Sequence, residues 1–124
     1  MKIRIFRFLQ ETHAEGPGKR ACIWTQGCLM KCKGCASSHS WDLDGGYEVD
    51  VDEIINKILN TQGLEGVTFL GGEPFLQSKQ LSYIAKKVQE SGLSVITFTG
   101  YRHEDLISKN NEDIDELLKY TDLL

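Results

Sequence analysis

Apolar residues occur along the chain in short runs that alternate with amphipathic stretches, the pattern of strands followed by helices. The runs predict strands at residues 2–9, 20–25, 66–70 and 93–99. Glycines follow the last three of these strands closely, and Gly63 and Gly92 end the helices between them. The chain is therefore predicted to consist of short strands and helices that succeed one another.

Helices are predicted where apolar residues recur three and four positions apart. The first begins at Asp50, which can form a capping box with Glu53, and the second is capped by Ser78. Their buried faces are predicted to hold Ile54, Ile55, Ile58 and Leu59 in the first helix and Leu81, Ile84, Ala85 and Val88 in the second. Shorter helices are predicted at residues 103–108 and 112–118, the latter with a solvated acidic face.

This order predicts an α/β fold with parallel strands and right-handed crossovers. Ligands of such sheets bind beyond the carboxyl ends of the strands. Three predicted strands end in distinctive loops, which are the cysteine-rich loop after Thr25, the turn Gly71-Gly72-Glu73-Pro74, and Gly100-Tyr101. We therefore expect these loops to meet at one edge of the sheet.

Length and charge restrict the function further. A chain of 124 residues is expected to form one small domain. Its formal net charge of -4 argues against nucleic-acid binding through phosphate neutralisation, but leaves room for a local basic patch of Lys19, Arg20, Lys31 and Lys33 around the cysteine loop. No apolar run approaches the length of a membrane span, and the first residues lack the apolar core of a signal peptide. These features predict a cytoplasmic protein without a membrane segment.

Cys28, Cys32 and Cys35 are spaced C-x3-C-x2-C. Three thiolates at this spacing can hold a 4Fe–4S cluster and leave one iron open to a ligand that is not protein. With Cys22 the set could instead bind zinc through four thiolates. Cys22 lies within a strand that is predicted to be buried, which favours a core position for it.

This cysteine spacing, followed by a strand that ends in Gly-Gly-Glu-Pro, resembles the radical S-adenosylmethionine enzymes. Further features are similar to the activating proteins of anaerobic ribonucleotide reductases, which activate glycyl-radical enzymes. They are Gly16-Pro17-Gly18, Gln26-Gly27 before Cys28, Ser40-Trp41, Thr99-Gly100-Tyr101 and the closing Tyr120-Thr-Asp-Leu-Leu.

The resemblance implies a partial parallel (β/α) barrel, truncated at the C-terminus, with residues 1–124 as a single radical S-adenosylmethionine domain. Relatives continue through further strands, so the chain is either a naturally minimal enzyme or a fragment. A partial sheet leaves an edge that a homodimer or a docked partner can cover.

The resemblance also implies roles for particular residues. Cys28, Cys32 and Cys35 would each bind one iron, and S-adenosylmethionine would chelate the fourth. Gly72 and Glu73 match the motif that receives the amino group of the cofactor, with Pro74 setting the turn. Gly34, Cys35 and Ala36 match positions whose backbone lies against the cofactor, and Thr99 is placed to face its ribose or carboxylate.

The implied activity is reductive cleavage of S-adenosylmethionine to a 5′-deoxyadenosyl radical, which installs a glycyl radical on a partner enzyme. The implied partner is the large subunit of an anaerobic ribonucleotide reductase, with flavodoxin or ferredoxin as electron donor. Two alternatives remain open at this point. One is a cluster-binding or electron-transfer module, and the other is a radical enzyme that acts on a small molecule.

Overall fold

The computed structural model describes residues 1–12, 18–26, 47–109 and 111–122. Its strands are β1 (Lys2–Thr12), β2 (Arg20–Thr25), β3 (Tyr47–Asp50), β4 (Gly66–Gly71) and β5 (Ser94–Thr97). Its helices are α1 (Val51–Leu59), α2 (Ser78–Glu90), α3 (His103–Ser108) and α4 (Glu112–Lys119), and a 3₁₀ helix (Pro74–Gln77) precedes α2. Cys28, Cys32, Gly34, Cys35 and Ala36 lie outside the described residues.

The five strands form one sheet in the order β3-β1-β2-β4-β5. Strands β2, β4 and β5 are parallel, which confirms the predicted α/β character of that part of the chain. Strand β1 runs antiparallel to both of its neighbours. The prediction of an all-parallel sheet is corrected here, because residues 13–19 are too few for the crossover that parallel neighbours require. Within the described ranges the sheet is mixed and does not close into a barrel.

Strand β3 was not predicted from the sequence. It pairs with the first half of β1, with Val49 opposite Ile3 and Tyr47 opposite Ile5. Its residues are exposed or half-buried, so four positions at the edge of the sheet give no clear alternation of apolar and polar side chains. Strand β3 leads directly into α1, and Asp50 is confirmed as its N-cap, since the Asp50 side chain accepts a hydrogen bond from the Asp52 amide at 2.9 Å. The part of Glu53 in the predicted capping box stays a prediction.

The predicted apolar faces of the helices are largely confirmed. All four predicted residues of α2 are buried, together with Ile54, Ile55 and Ile58 of α1. Leu59 is exposed, and Val51 completes the buried face of α1 in its place. Ser78 does not cap α2 but is its first residue, and the residue that precedes the helix is Gln77. These faces pack on β1, β2, β4 and β5 in one hydrophobic core.

Alternate residues of β2 face opposite sides of the sheet. Ala21 and Ile23 belong to the core under the helices. Cys22 lies on the other face, is fully buried and is not in a disulfide, which confirms its prediction as a core residue. In the part of the chain that the structure describes, no helix is long and apolar enough to span a membrane.

The predicted basic patch around the cysteine loop stays a prediction, because the loop lies outside the described residues. Arg20 is the first residue of β2, at its amino end, and its side chain is buried. Its guanidinium donates to Thr68 Oγ1 at 2.9 Å and to the carbonyls of Val67 and Ser94 at 3.0 and 3.1 Å. Lys19 forms a salt bridge with Glu11 at 2.9 Å. Both cations therefore lie at the amino end of β2.

Candidate functional site

The carboxyl ends of β2, β4 and β5 lie side by side. Thr25 at the end of β2 pairs with Gly71 at the end of β4. On the other side of β4, the Phe98 amide donates to the Phe69 carbonyl at 2.9 Å, which carries the pairing just past β5. The predicted convergence is thus confirmed for the described residues. We call residues 25–26, 71–74 and 99–101 the rim.

Strand β4 ends in contact with β2 at Gly71 and Gly72. Gly71 has a φ of +111°, and a Cβ atom there would lie 2.5 Å from the Thr25 nitrogen and 2.6 Å from its carbonyl oxygen. The next residue, Gly72, donates its amide to the Thr25 carbonyl at 2.9 Å. A side chain at position 71 would separate the two strand ends, so glycine is required for this approach. The turn that follows β4 is therefore fixed against the residue that leads toward the cysteine loop.

Glu73 joins the same turn to the end of β5. Its side chain is only 1% exposed, and Thr99 Oγ1 donates to it, 2.8 Å from both carboxylate oxygens. The Gly100 amide donates to Oε1 at 2.8 Å, and the Phe75 amide donates to Oε2 at 3.0 Å. Pro74 is buried and begins the 3₁₀ helix, so the chain turns away directly after Glu73. One carboxylate thus holds two strand ends together.

Burial dominates the electrostatics of this carboxylate. Removal from water raises the pKa of Glu73 above its ordinary value, because the charged form loses hydration. The amides of Phe75 and Gly100 and the hydroxyl of Thr99 lower this pKa in part, since they stabilise the charge. The side chain is therefore engaged by protein donors. The predicted roles of Gly72, Glu73, Pro74 and Thr99 toward a cofactor stay predictions.

A second polar contact, which sequence reasoning missed, lies beneath the turn. The side-chain amide of Gln77 donates to the Arg4 carbonyl at 2.7 Å and accepts from the Arg4 amide at 2.8 Å. The same nitrogen is 3.4 Å from the carbonyl of Gln26. The only signal in the sequence was a polar residue at the start of α2, and Ser78 offered a more usual cap there.

The predicted iron ligands Cys28, Cys32 and Cys35 lie outside the described residues. Within the described ranges, no group of three histidine, cysteine, aspartate or glutamate side chains could hold a metal ion. The donor set itself fits an iron–sulfur cluster, since three thiolates follow the rim residue Gln26 within ten positions. Gly72 is half-buried and Gly100 is exposed, so the rim presents backbone without side chains at these two positions.

Comparison with known proteins agrees with this donor set. Residues 14–124 match the family described as "4Fe-4S single cluster domain". Among the similar proteins is the pyruvate formate-lyase-activating enzyme of Staphylococcus epidermidis, 35% identical over 116 residues, which are 89% of this chain and 46% of that protein. The enzyme of the same name from Clostridium pasteurianum is 34% identical over 116 residues, which cover 89% of this chain and 45% of that protein.

The chain spans about half the length of these relatives. The family match confirms the predicted 4Fe–4S cluster. The matched residues include the C-x3-C-x2-C loop and every described element after β1. The chain therefore belongs to the 4Fe–4S single cluster domain family.

Proposed function

We propose that this protein is a radical S-adenosylmethionine activating enzyme that installs a glycyl radical on a partner protein. The observation that carries the proposal is the rim, in which Thr25, Gly72, Glu73 and Thr99 connect three strand ends by hydrogen bonds. The cysteine spacing and the likeness to pyruvate formate-lyase-activating enzymes support the same function. A partial radical S-adenosylmethionine barrel is part of this proposal.

Residues of the cysteine loop and of the rim would have different roles. Cys28, Cys32 and Cys35 would hold the cluster, whose open iron binds S-adenosylmethionine. The backbone of residues 72–74 would receive the amino group of that cofactor, while the Glu73 carboxylate keeps the rim in place from beneath. When bound and reduced, the cluster supplies the electron that cleaves the cofactor to methionine and a 5′-deoxyadenosyl radical. The chain itself contributes orientation and exclusion of water.

The proposal also concerns which glycyl-radical enzyme is the partner. The motifs at residues 16–18, 40–41 and 99–101 resemble those of anaerobic ribonucleotide reductase activating proteins, which favours the large subunit of that reductase. The names of the similar proteins favour pyruvate formate-lyase. We further propose a cytoplasmic location, an electron donor such as flavodoxin or ferredoxin, and a homodimer in the absence of the partner.

The test is anaerobic reconstitution with iron and sulfide, followed by reduction with dithionite in the presence of S-adenosylmethionine. We expect release of 5′-deoxyadenosine and methionine. With the correct partner present, we expect a carbon-centred doublet in electron paramagnetic resonance that is assigned to a partner glycine. The two candidate partners are tested in parallel, and Cys32→Ala serves as the inactive control.

Two results would contradict the proposal. An intact cluster that never cleaves the cofactor would favour an electron-transfer module. Efficient cleavage of S-adenosylmethionine without a candidate partner, together with no radical on either partner when it is added, would favour an enzyme that acts on a small molecule.

A further inference from the structure

The side chain of Gln77 spans from the 3₁₀ helix to β1 and the end of β2. It exchanges two hydrogen bonds with the backbone of Arg4, at 2.7 and 2.8 Å. The Gln26 amide donates to the same Arg4 carbonyl at 3.1 Å, and the Gln26 carbonyl lies 3.4 Å from the Gln77 nitrogen. Gln77, Arg4 and Gln26 therefore form one hydrogen-bonded group.

This group lies where the regular pairing of β1 with β2 is interrupted. Ile5 pairs with Thr25, but the next pair is Arg7 with Trp24, so the register shifts between Ile5 and Arg7. Arg4 lies next to that shift, and the amide of Gln77 takes the position of a strand neighbour beside it. Gln77 precedes α2 but makes no capping hydrogen bond with its side chain, because the side-chain amide is bonded to the backbone of Arg4.

The two ends of the group connect to different parts of the rim. Gln77 is the last residue of the 3₁₀ helix, which begins at Pro74 directly after Glu73. Gln26 is buried and immediately precedes Gly27 and Cys28. The contact thus links the turn after β4 to the residue from which the cysteine loop departs. A hydrophobic side chain at position 77 could fill the space but could not make this link.

We propose that Gln77 is a positioning residue that sets the start of the cysteine loop relative to residues 72–74, and with it the geometry of cofactor binding beside the cluster. The inference rests on the proposed function for the identity of the cofactor. It concerns a residue that binds neither iron nor cofactor and acts through Gln26 and Arg4. Outer-shell groups that orient metal ligands typically change metal affinity by about 10- to 100-fold when removed.

The chain offers a matched control. Gln89 lies at the other end of α2, is also half-buried, and donates its side-chain amide to the Tyr120 carbonyl at 2.7 Å and to Asp122 at 3.0 Å. Gln89→Leu therefore removes a comparable contact far from the rim. Gln77→Leu removes the whole link, and Gln77→Glu keeps the acceptor for the Arg4 amide but loses both donations to carbonyls.

The full-length reconstituted variants are compared by two measurements besides turnover. One is the rate at which a chelator removes iron. The other is electron paramagnetic resonance of the reduced cluster, titrated with S-adenosylmethionine to give a Kd. We expect Gln77→Leu and Gln77→Glu to lose iron severalfold faster, and to bind the cofactor about tenfold more weakly with an altered spectrum of the complex. Gln89→Leu should match the wild type in both.

Wild-type values in Gln77→Leu would overturn the inference, and so would an equal change in Gln89→Leu, since that would indicate general loss of stability. If Gln77→Leu fails to fold by circular dichroism, Gln77→Glu decides the outcome. Failure of the proposed function is distinguishable, because a wild-type protein that forms no glycyl radical still gives an iron-release rate for each variant.

Discussion

The carboxylate of Glu73 receives hydrogen bonds from two loops and is withdrawn from solvent. A charged group in this position stabilises the fold only as far as its donors offset the lost hydration. The same donors, Thr99 and Gly100, belong to the loop after β5, so the carboxylate determines where that loop lies. At the scale of the single residue, the protonation state of Glu73 therefore affects how the loop after β5 is held in the rim.

Glu73→Gln tests this coupling through pH. Because the pKa of Glu73 is raised in the folded state, the folded protein keeps the proton over a pH range in which the unfolded chain has released it. Its contribution to the free energy of unfolding is full below the unfolded pKa and is lost as the pH rises through the folded pKa. We expect the stability of the wild type relative to Glu73→Gln, measured by urea unfolding, to fall as the pH rises above about 4. A difference that increases over this range would contradict the assignment.

The cysteines give a second prediction at this scale. Replacing Cys28, Cys32 or Cys35 by Ala should abolish the cluster, measured as iron content and visible absorption after anaerobic reconstitution, because each thiolate would bind one iron. Cys22→Ala is the matched control. Cys22 is fully buried in β2, so this variant should keep the cluster and lose about 1 kcal/mol of stability. Equal loss of iron from Cys22→Ala would indicate a four-thiolate site.

At the scale of the element, the end of each parallel strand is shaped by its neighbour. Strand β4 ends in a glycine of positive φ because the backbone of β2 lies within contact distance of it. The 3₁₀ helix that follows begins at the buried Pro74 and ends at Gln77, which returns a hydrogen bond to β1. The segment between β4 and α2 is thus attached at both of its ends.

Gly71 and Gly92 both have positive φ, so alanine substitutions at the two positions distinguish backbone strain from steric contact. Gly92 has a φ of +88°, and a Cβ atom added there would meet no atom within 4 Å, whereas a Cβ atom at Gly71 would lie 2.5 Å from the Thr25 nitrogen. Gly92→Ala should therefore cost about 1 kcal/mol from backbone strain alone. Gly71→Ala should cost about 3 kcal/mol or more, because β4 must also move away from β2. Urea unfolding measures both, and equal costs would show that the contact with Thr25 is unimportant.

At the scale of the whole molecule, the parallel strands are fixed at both ends. Arg20 crosses the amino ends of β4 and β5, and Gly66 leaves space for it, since a Cβ there would lie 2.5 Å from the guanidinium. The opposite ends are joined by Glu73 and by the amide of Gly72. Between them lies the core under the helices. This arrangement holds the strand ends of the rim together, as the proposed function requires.

The sequence by itself determined the three parallel strands, the buried faces of α1 and α2, and the core position of Cys22. These follow from apolar periodicity, which local side-chain spacing encodes directly. It also identified the cysteine motif and Gly71-Gly72-Glu73-Pro74, because residue type and spacing carry that chemistry.

Only the tertiary structure decided the directions of β1 and β3, the burial of Arg20, and the contacts of Glu73 and Gln77. Each depends on groups far apart in the chain, as in the link from Gln77 to Arg4 across 73 positions. A polar residue in a sequence does not show whether water or a distant backbone will satisfy its hydrogen bonds. That choice is made by packing, which here buries Glu73 among protein donors and directs the Gln77 side-chain amide to the backbone of β1.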